Sequence, residues 1–523
     1  MQHVNRSRNE RRFGAALGLV GVFASILVGL LLTPIMLKYL NKSEFGLYQL
    51  IGAFVGYFAL MDFGISGTLS RHIAKYQAEG DKIQQDNLFS MCMIIYFVIG
   101  ILLLGIGYGI YQNLSRIFEH SLTLQELSQA KIMFIIVLGS IFATVLGRAY
   151  MGAISGCERF IFPRVVGIAA MLFRIGAILA ILLCGKRAIG VVFGEAVISL
   201  LILTLNFAYA RFVLKIRFKL HYWDWQIFTE VMSFAFWLFL AALVLQINFR
   251  LGRIILGIMT STSLVAVYAI AMQINTLYNA LPTAISQVFL PKATRLVVNN
   301  ASGEELTRFM IGPSRYQLML LGGVLSGYLL FGRQFITLWA GPDYIDAWTV
   351  GLLVLIPVTI PLYQNVVLKI LQAKSLLRTR SLINLVLAVI NAIISIFLVR
   401  AYGLLGPAIG TGFVLLIGHG IILNLYYHYG VGLNMLLFFR ESNKKIFPVI
   451  IFSLTLGIVL IYLSLGNGWF GLIVQGSLFL IIYVSLMWFY GMNDNERTFF
   501  KSILCDGAKM IFPPKSSKIK SAI

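Results

Sequence analysis

Charge is what this 523-residue chain has little of: 42 Lys and Arg and 20 Asp and Glu make up 12% of it, about half the share of a soluble domain. A soluble enzyme is excluded on that ground. The four cysteines (Cys92, Cys157, Cys184 and Cys505) lack CxxC spacing, so neither a disulfide framework nor a zinc site is indicated. Six histidines are scattered without ligand spacing, and no Walker loop, HExxH motif or Ser/His/Asp arrangement is present. No catalytic residue, metal or cofactor is therefore expected. Long polar stretches are missing too, since the widest gaps between apolar runs span about 20 residues. That leaves no room for a nucleotide-binding domain. Nor is there an external loop of the kind an oligosaccharide polymerase or ligase uses for its acceptor.

Apolar residues dominate what is there. They form 59% of the chain at a mean hydropathy of +0.86, and a membrane span needs roughly 20 of them. Runs with little or no charge predict fourteen spans: 13–39, 45–70, 88–112, 131–152, 163–184, 188–210, 231–257, 263–290, 313–332, 349–371, 381–400, 404–427, 446–465 and 469–490. The first run is uncharged from Phe13 to Leu37, longer than the apolar core of a cleavable signal. The expected architecture is an all-α polytopic membrane protein.

The basic residues test this count. With an even number of spans both termini lie on one side, and 31 of the 42 Lys and Arg then fall on that side and 8 on the other. A miscounted span would invert every later loop and scramble the alternation. The rule that basic residues stay inside makes that side cytoplasmic. The net charge of +22 is thus a topology signal, and no nucleic-acid partner is expected. Three arginines remain within spans: Arg174, Arg250 and Arg253.

An internal repeat adds organisation. Ala188-Ile-Gly-Val-Val-Phe193 matches Ala408-Ile-Gly-Thr-Gly-Phe413 in four of six positions, and the same offset sets Phe45-Gly-Leu-Tyr48 against Val265-Ala-Val-Tyr268. Two regions far apart agreeing on one offset predict two pseudo-symmetric six-helix lobes, related by an axis along the membrane normal. The expected division is a basic cytoplasmic N-terminus (1–12), an N-terminal lobe with its linker (13–230) and a C-terminal lobe (231–430). Two unpaired extra helices (431–490) and a basic cytoplasmic tail (491–523) follow.

The run Tyr39-Leu-Asn-Lys-Ser-Glu-Phe-Gly-Leu-Tyr48, then Leu60-Met-Asp-Phe-Gly-Ile65, Arg71-His-Ile-Ala74 and Glu79-Gly-Asp81, resembles the polysaccharide-transport flippases. These are the O-antigen, or Wzx-type, branch of the multidrug/oligosaccharidyl-lipid/polysaccharide (MOP) exporter superfamily. Ile255-Leu-Gly257, Leu338-Trp-Ala-Gly-Pro-Asp-Tyr344 and Gly403-Leu-Leu-Gly-Pro-Ala-Ile-Gly-Thr411 extend the resemblance over roughly residues 13–430. It implies two lobes around a cavity that opens alternately to either side. It also implies movement of an undecaprenyl-pyrophosphate-linked oligosaccharide from the inner to the outer leaflet. One departure stands out: relatives often carry an acid just before the residues matching Arg253-Ile-Ile-Leu-Gly257, and this chain has Gly252.

Polar residues inside spans mark where that activity would reside, because an arginine at the centre of a bilayer costs about 2.5–3.5 kcal/mol on insertion scales. Arg174 and Glu195 lie at similar distances from their shared turn, so they share a depth. They read either as a structural ion pair or as a pyrophosphate ligand with a carboxylate that tunes it or carries a proton. Arg250 and Arg253 share a helical face and suit a diphosphate, with Gln246 extending their stripe; snorkelling to headgroups is the alternative. Asn275, Asn279, Pro282 and Ser286 form a second polar face, for sugar hydroxyls or for helix–helix hydrogen bonds, and Pro282 permits a hinge. Asp62 resembles the family's Leu-Asp-x-Gly signature and points to gating. Lys369 is placed where anionic headgroups would enter, or is an ordinary positive-inside lysine.

The expectation is a multi-pass flippase of the bacterial inner membrane that works without ATP and is not an enzyme. It serves O-antigen, capsule or exopolysaccharide assembly. Its partners are the polyprenyl-pyrophosphate-linked oligosaccharide, membrane lipids, and the polymerase and chain-length machinery of that assembly. The rivals are a peptidoglycan-precursor flippase and a multidrug or cation antiporter of the same superfamily.

Overall fold

The computed structural model describes residues 17, 21, 24–58, 64–287, 289–374, 376–463, 466, 468–498 and 501, and among them it contains helices and no strand. Hydrocarbon offers no water to pair with the backbone, so each apolar segment satisfies its amides internally as a helix. Helices underlie all fourteen predicted stretches. They are α1 (Ala24–Tyr39), α2 (Lys42–Phe58), α3 (Ile65–Glu79), α4 (Lys82–Ile117), α5 (Leu124–Gly156), α6 (Ile161–Leu183), α7 (Arg187–Ala208), α8 (Trp225–Met259), α9 (Thr262–Gln287), α10 (Leu290–Val298) and α11 (Gly303–Trp339). Then come α12 (Ala347–Tyr363), α13 (Val366–Ala373), α14 (Leu377–Tyr402), α15 (Gly406–Val414), the short turn α16 (Leu423–Leu425), α17 (Met435–Asn443), α18 (Ile446–Tyr462) and α19 (Gly468–Leu486). Asp62 and the two basic termini, 1–12 and most of 491–523, lie outside the described residues.

Among the described residues, seven helices are long and apolar enough to cross a membrane, or nine when each bent pair counts as one span. Breaks within the predicted stretches explain much of the distance from fourteen. The run Leu377–Gly430 counts once at 54 residues, yet as one helix it would reach ~80 Å, far beyond a ~30 Å core. Gly403, with φ 51°, divides it. The predicted stretch 45–70 holds α2 and α3, of 17 and 15 residues, with Gly64 at φ 69° before α3. The predicted stretch 349–371 bends by 45° between α12 and α13.

The described residues fall into two compact units. The first lies within Met1–Leu277, Trp339–Val358 and Ser375–Leu423. Here α5 packs on α2, α3, α4 and α7, and α8 packs on α2 and α14. Small residues let these helices approach: a Cβ on Gly152 would stand 2.8 Å from the Ser66 carbonyl, and one on Gly156 2.8 Å from that of Ser70. Buried polar groups pair across helices. Asn391 Nδ2 donates to Asn248 Oδ1 at 3.1 Å and Thr411 Oγ1 at 3.3 Å, tying α14 to α8 and α15. Outward faces are apolar, as Leu172 and Phe173 on α6 illustrate, which suits lipid rather than water.

At the N-terminal end of α2 a polar seam joins several helix starts. Glu44 meets Arg187 at 3.0 Å, Thr262 donates to Glu126 at 2.7 Å, and Lys42 donates to the Asp343 carbonyl at 2.7 Å. Ser43 and Ser263 share a hydrogen bond of 3.1 Å at a separation of 220 residues, the offset of the internal repeat. Gly46 makes the crossing possible, since any Cβ there would overlap the Thr262 carbonyl.

The second unit lies within Tyr278–Leu338, Thr359–Lys374 and Asn424–Ile523. Arg315, 3% exposed, organises one end of it. Its guanidinium meets Glu496 at 2.5 and 3.1 Å and donates to the carbonyls of Glu441, Lys444 and Gly491 at 3.1, 2.8 and 2.9 Å. Arg315, near the start of the predicted stretch 313–332, is thus a fully engaged interior group.

Candidate functional site

The first unit encloses a cavity of about 530 Å³ walled by α2, α5, α6, α7 and α8. All three intramembrane arginines reach it. Arg174 comes from α6, while Arg250 and Arg253, three apart on α8, present one face to the same space. Glu195 on α7 is the fourth charged lining group. Three guanidinium groups against one carboxylate leave the lining net positive.

Each arginine is held loosely enough to take a further partner. Arg174 Nη2 meets Glu195 Oε2 at 2.8 Å with the two side chains 41% and 27% exposed, so the pair is not sealed from its surroundings. Arg250 Nη1 donates to the Gly52 carbonyl at 3.2 Å. Room for it comes from Gly56, where any Cβ would overlap the Arg250 guanidinium. Arg253 Nη1 donates to Gln49 Oε1 at 3.3 Å. The Nε atoms of Arg174 and Arg253 are buried and have no hydrogen-bond partner. A buried donor left unpaired costs about 1–3 kcal/mol, so neither guanidinium is fully satisfied where it sits.

Apart from Tyr48 and Gln49, the remaining polar lining offers acceptors. Ser140, Thr144 and Ser199 face the cavity, but their hydroxyl protons go to carbonyls of their own helices at 2.8, 2.8 and 3.0 Å. Their oxygens keep lone pairs free for donors such as sugar hydroxyls. The lining thus offers charged forks for phosphate oxygens beside neutral groups for a polyol.

The other predicted residues lie elsewhere. Gln246 meets α2 through its backbone, whose carbonyl accepts from Tyr57 Oη at 3.3 Å. Asn275 is buried in the first unit. Asn279, half-buried, belongs to the second unit with Pro282 and with Lys369, half-buried on α13. The Pro282 carbonyl accepts from Gln317 Nε2 at 3.0 Å. Sequence reasoning missed Gln49, Ser140, Thr144 and Ser199. A signal existed for most of them: Ser140 and Thr144, and Glu195 and Ser199, are polar pairs four apart in apolar helices, hence on one face. Gln49 carried none, because α2 has no other polar group in that turn of the stripe.

The departure at Gly252 also has a physical reason. A Cβ there would stand 2.5 Å from Tyr268 Oη and 3.0 Å from Pro407 Cβ, so an acidic side chain does not fit.

Comparison with known proteins bears on the family and the fold. The chain is 24% identical over 403 residues to the probable flippase AglR of Haloferax volcanii, covering 73% of this chain and 76% of that protein. Its fold is similar to that of the lipid II flippase MurJ in an inward closed conformation, with a TM-score of 0.71 at 15% identity over 93% of this chain and 99% of MurJ. It is also similar to an inward-facing multidrug resistance MATE family transporter of the MOP superfamily, with a TM-score of 0.62 at 15% identity over 80% and 99%. These matches carry the names of flippases and transporters rather than enzymes. The profile described as polysaccharide biosynthesis protein matches residues 14–297, more than half of the chain, and the protein belongs to that family.

Proposed function

We propose that this protein is a flippase that moves a polyprenyl-pyrophosphate-linked oligosaccharide, undecaprenyl-linked in a bacterial cell, from the inner to the outer leaflet of the cytoplasmic membrane. The product feeds O-antigen, capsule or exopolysaccharide assembly, where a polymerase and chain-length machinery act next. The observation that carries this reading is the meeting of Arg174, Arg250 and Arg253 in one cavity, with two of their Nε donors unfilled. Guanidinium forks match a pyrophosphate, and the adjacent hydroxyl and amide oxygens suit sugars. An apolar hollow of about 410 Å³ in the second unit, between α11 and α19 and opened by Gly323, Gly327 and Gly476, suits a prenyl chain.

In this reading the chain crosses the membrane fourteen times with both ends cytoplasmic, and the lobes are 13–230 and 231–430 with 431–490 as an appendage. Glu195 competes with the pyrophosphate for Arg174. Gln246, Asn275 and Asn279 contact sugars when the transporter changes state, with Pro282 as hinge, Asp62 as gate and Lys369 at the headgroup entrance. A cation antiporter is less well supported, because the cavity's one carboxylate is already held by a guanidinium. A peptidoglycan-precursor flippase is the second reading, favoured by the fold likeness to MurJ.

Depleting the protein in its native cell tests the proposal. Complete lipid-linked repeat units should accumulate on the cytoplasmic leaflet, and an Arg250→Ala/Arg253→Ala variant should not clear them. Normal arrival of the units on the outer leaflet would overturn the reading. Accumulated peptidoglycan precursor in their place would select the second.

A further inference from the structure

Between α7 and α8 the chain leaves the helical pattern, passing from a π-helical turn (Tyr209–Val213) into a stretch without regular structure up to Asp224. That stretch is nonetheless fixed. Backbone amides of alternate residues donate to α4: Arg217 N to Asp86 Oδ1 at 3.0 Å, Lys219 N to Ser90 Oγ at 2.7 Å and His221 N to Asn87 Oδ1 at 2.8 Å. Asp86, Asn87 and Ser90 are 6%, 2% and 0% exposed. Such polar groups are costly inside a helix bundle unless bonded, and here they hold an extended ribbon in place. Tyr222 Oη adds a bond of 2.6 Å to Gln84.

What the ribbon turns outward is a mixture of two kinds of side chain. Arg211, Lys215, Arg217 and Lys219 are exposed, and no acid occurs from Tyr209 to Trp223. Interleaved with them, Phe212, Phe218, Leu220 and Tyr222 are 73%, 60%, 44% and 44% exposed. The ribbon joins the ends of two apolar helices and runs beside the turns of α4 where its sequence passes from Lys82-Ile-Gln-Gln-Asp86 to Leu88-Phe-Ser-Met-Cys92. Such a change from polar to apolar sequence is what a membrane–water boundary would require.

We propose that residues 211–222 form a docking surface for anionic phospholipid headgroups, with the cations on the phosphates and the aromatic and aliphatic side chains among the upper acyl chains. Basic residues near an anionic leaflet attract it, aromatic rings settle at the interface, and a ribbon already pinned to α4 has little entropy left to lose on binding. A soluble acidic partner would satisfy the cations but leave four large apolar side chains in water. The surface is separate from the arginine cavity and does not rest on the flippase reading.

The test is native mass spectrometry of the full-length protein in mild detergent, titrated with phosphatidylglycerol or phosphatidylcholine. Wild-type protein should retain phosphatidylglycerol in preference to phosphatidylcholine. Lys215→Gln/Arg217→Gln/Lys219→Gln should weaken that retention by about tenfold or more, while Arg217→Lys should keep it. Arg174, Arg250 and Arg253 are unchanged in these variants, so lipid held by the cavity cancels in the comparison. Equal retention of both lipids by the wild type, or unchanged retention by the triple variant, would overturn the proposal. Should the triple variant not fold, salt replaces it: raising ionic strength from about 0.05 to 0.5 M shortens the range of charge attraction several-fold and should strip phosphatidylglycerol from the wild type. Salt-insensitive retention would equally overturn the proposal.

Discussion

Two arginine sites, one in each compact unit, put the same side chain to opposite uses. Around Arg315 the donors are filled, by two carboxylate oxygens of Glu496 and by three backbone carbonyls, and the ion pair is 4% and 7% exposed. In the cavity Arg174, Arg250 and Arg253 each have a single modest hold, and two Nε atoms have none. A guanidinium has five N–H donors, so the count of unfilled ones separates the two cases. Burial of a cation does not by itself mark a binding site. Spare donor capacity on side chains that line a cavity is the better pointer.

Breaking the filled site should have the largest effect. Arg315→Ala leaves Glu496 buried without its partner, a loss of about 3–5 kcal/mol, and the melting temperature in detergent should fall steeply. If stability holds, Arg315 is not the anchor described. The unfilled site should respond in the other measure. Arg253→Ala removes a charge-assisted contact worth about 1.5–3 kcal/mol, a tenfold to hundredfold weaker hold on lipid-linked substrate in proteoliposomes, with the melting temperature maintained. Arg253→Lys keeps the charge but not the fork, and should fall between the two.

A neighbouring position separates packing from charge. Gly252→Ala overpacks against Tyr268 at about 1–3 kcal/mol, so thermal stability should drop and Tyr268→Phe should restore part of it. An unchanged melt would show that an acid was never barred there. The smallest effect is expected at Glu195→Gln. So exposed a pair contributes about 0–1 kcal/mol to stability, so the fold should barely notice, while the freed Arg174 should bind an anionic headgroup up to about fivefold more tightly. Weaker binding would mean that the carboxylate orients Arg174 rather than competing for it.

Part of this contrast was legible in the residues. The three cavity arginines interrupt apolar runs, Arg250 and Arg253 share a face by spacing, and similar distances from their shared turn placed Arg174 near the depth of Glu195, to which it is bonded. The helices are legible for the same reason, because hydropathy alone marks where a backbone must close on itself. Which helix faces meet is not written in any local pattern. Gln49 on α2 reaches Arg253 across 204 residues, and Arg315 finds Glu496 across 181. Nothing near Arg315 in the sequence points to Glu496 as its partner. The amide stripe on α9 shows the same limit: Asn275 and Asn279 share a helical face, yet one belongs to each compact unit.

The bond between Ser43 and Ser263 has a consequence for how many cargoes the chain can hold. Residues that correspond under a two-fold repeat can touch only at the axis that relates them, just as a residue meets its own copy at the centre of a symmetric dimer. On the proposed two-lobe reading, the scaffold around that bond would have the form of a dimer fused into one polypeptide, and a true dimer would carry its site twice. At the same offset Arg174 and Glu195 correspond to Ile394 and Leu415, and Arg250 and Arg253 to Leu30 and Thr33. None of the four charged groups recurs at these positions, so on the proposed reading the expected stoichiometry is one anion per polypeptide, which a titration of the purified protein would count.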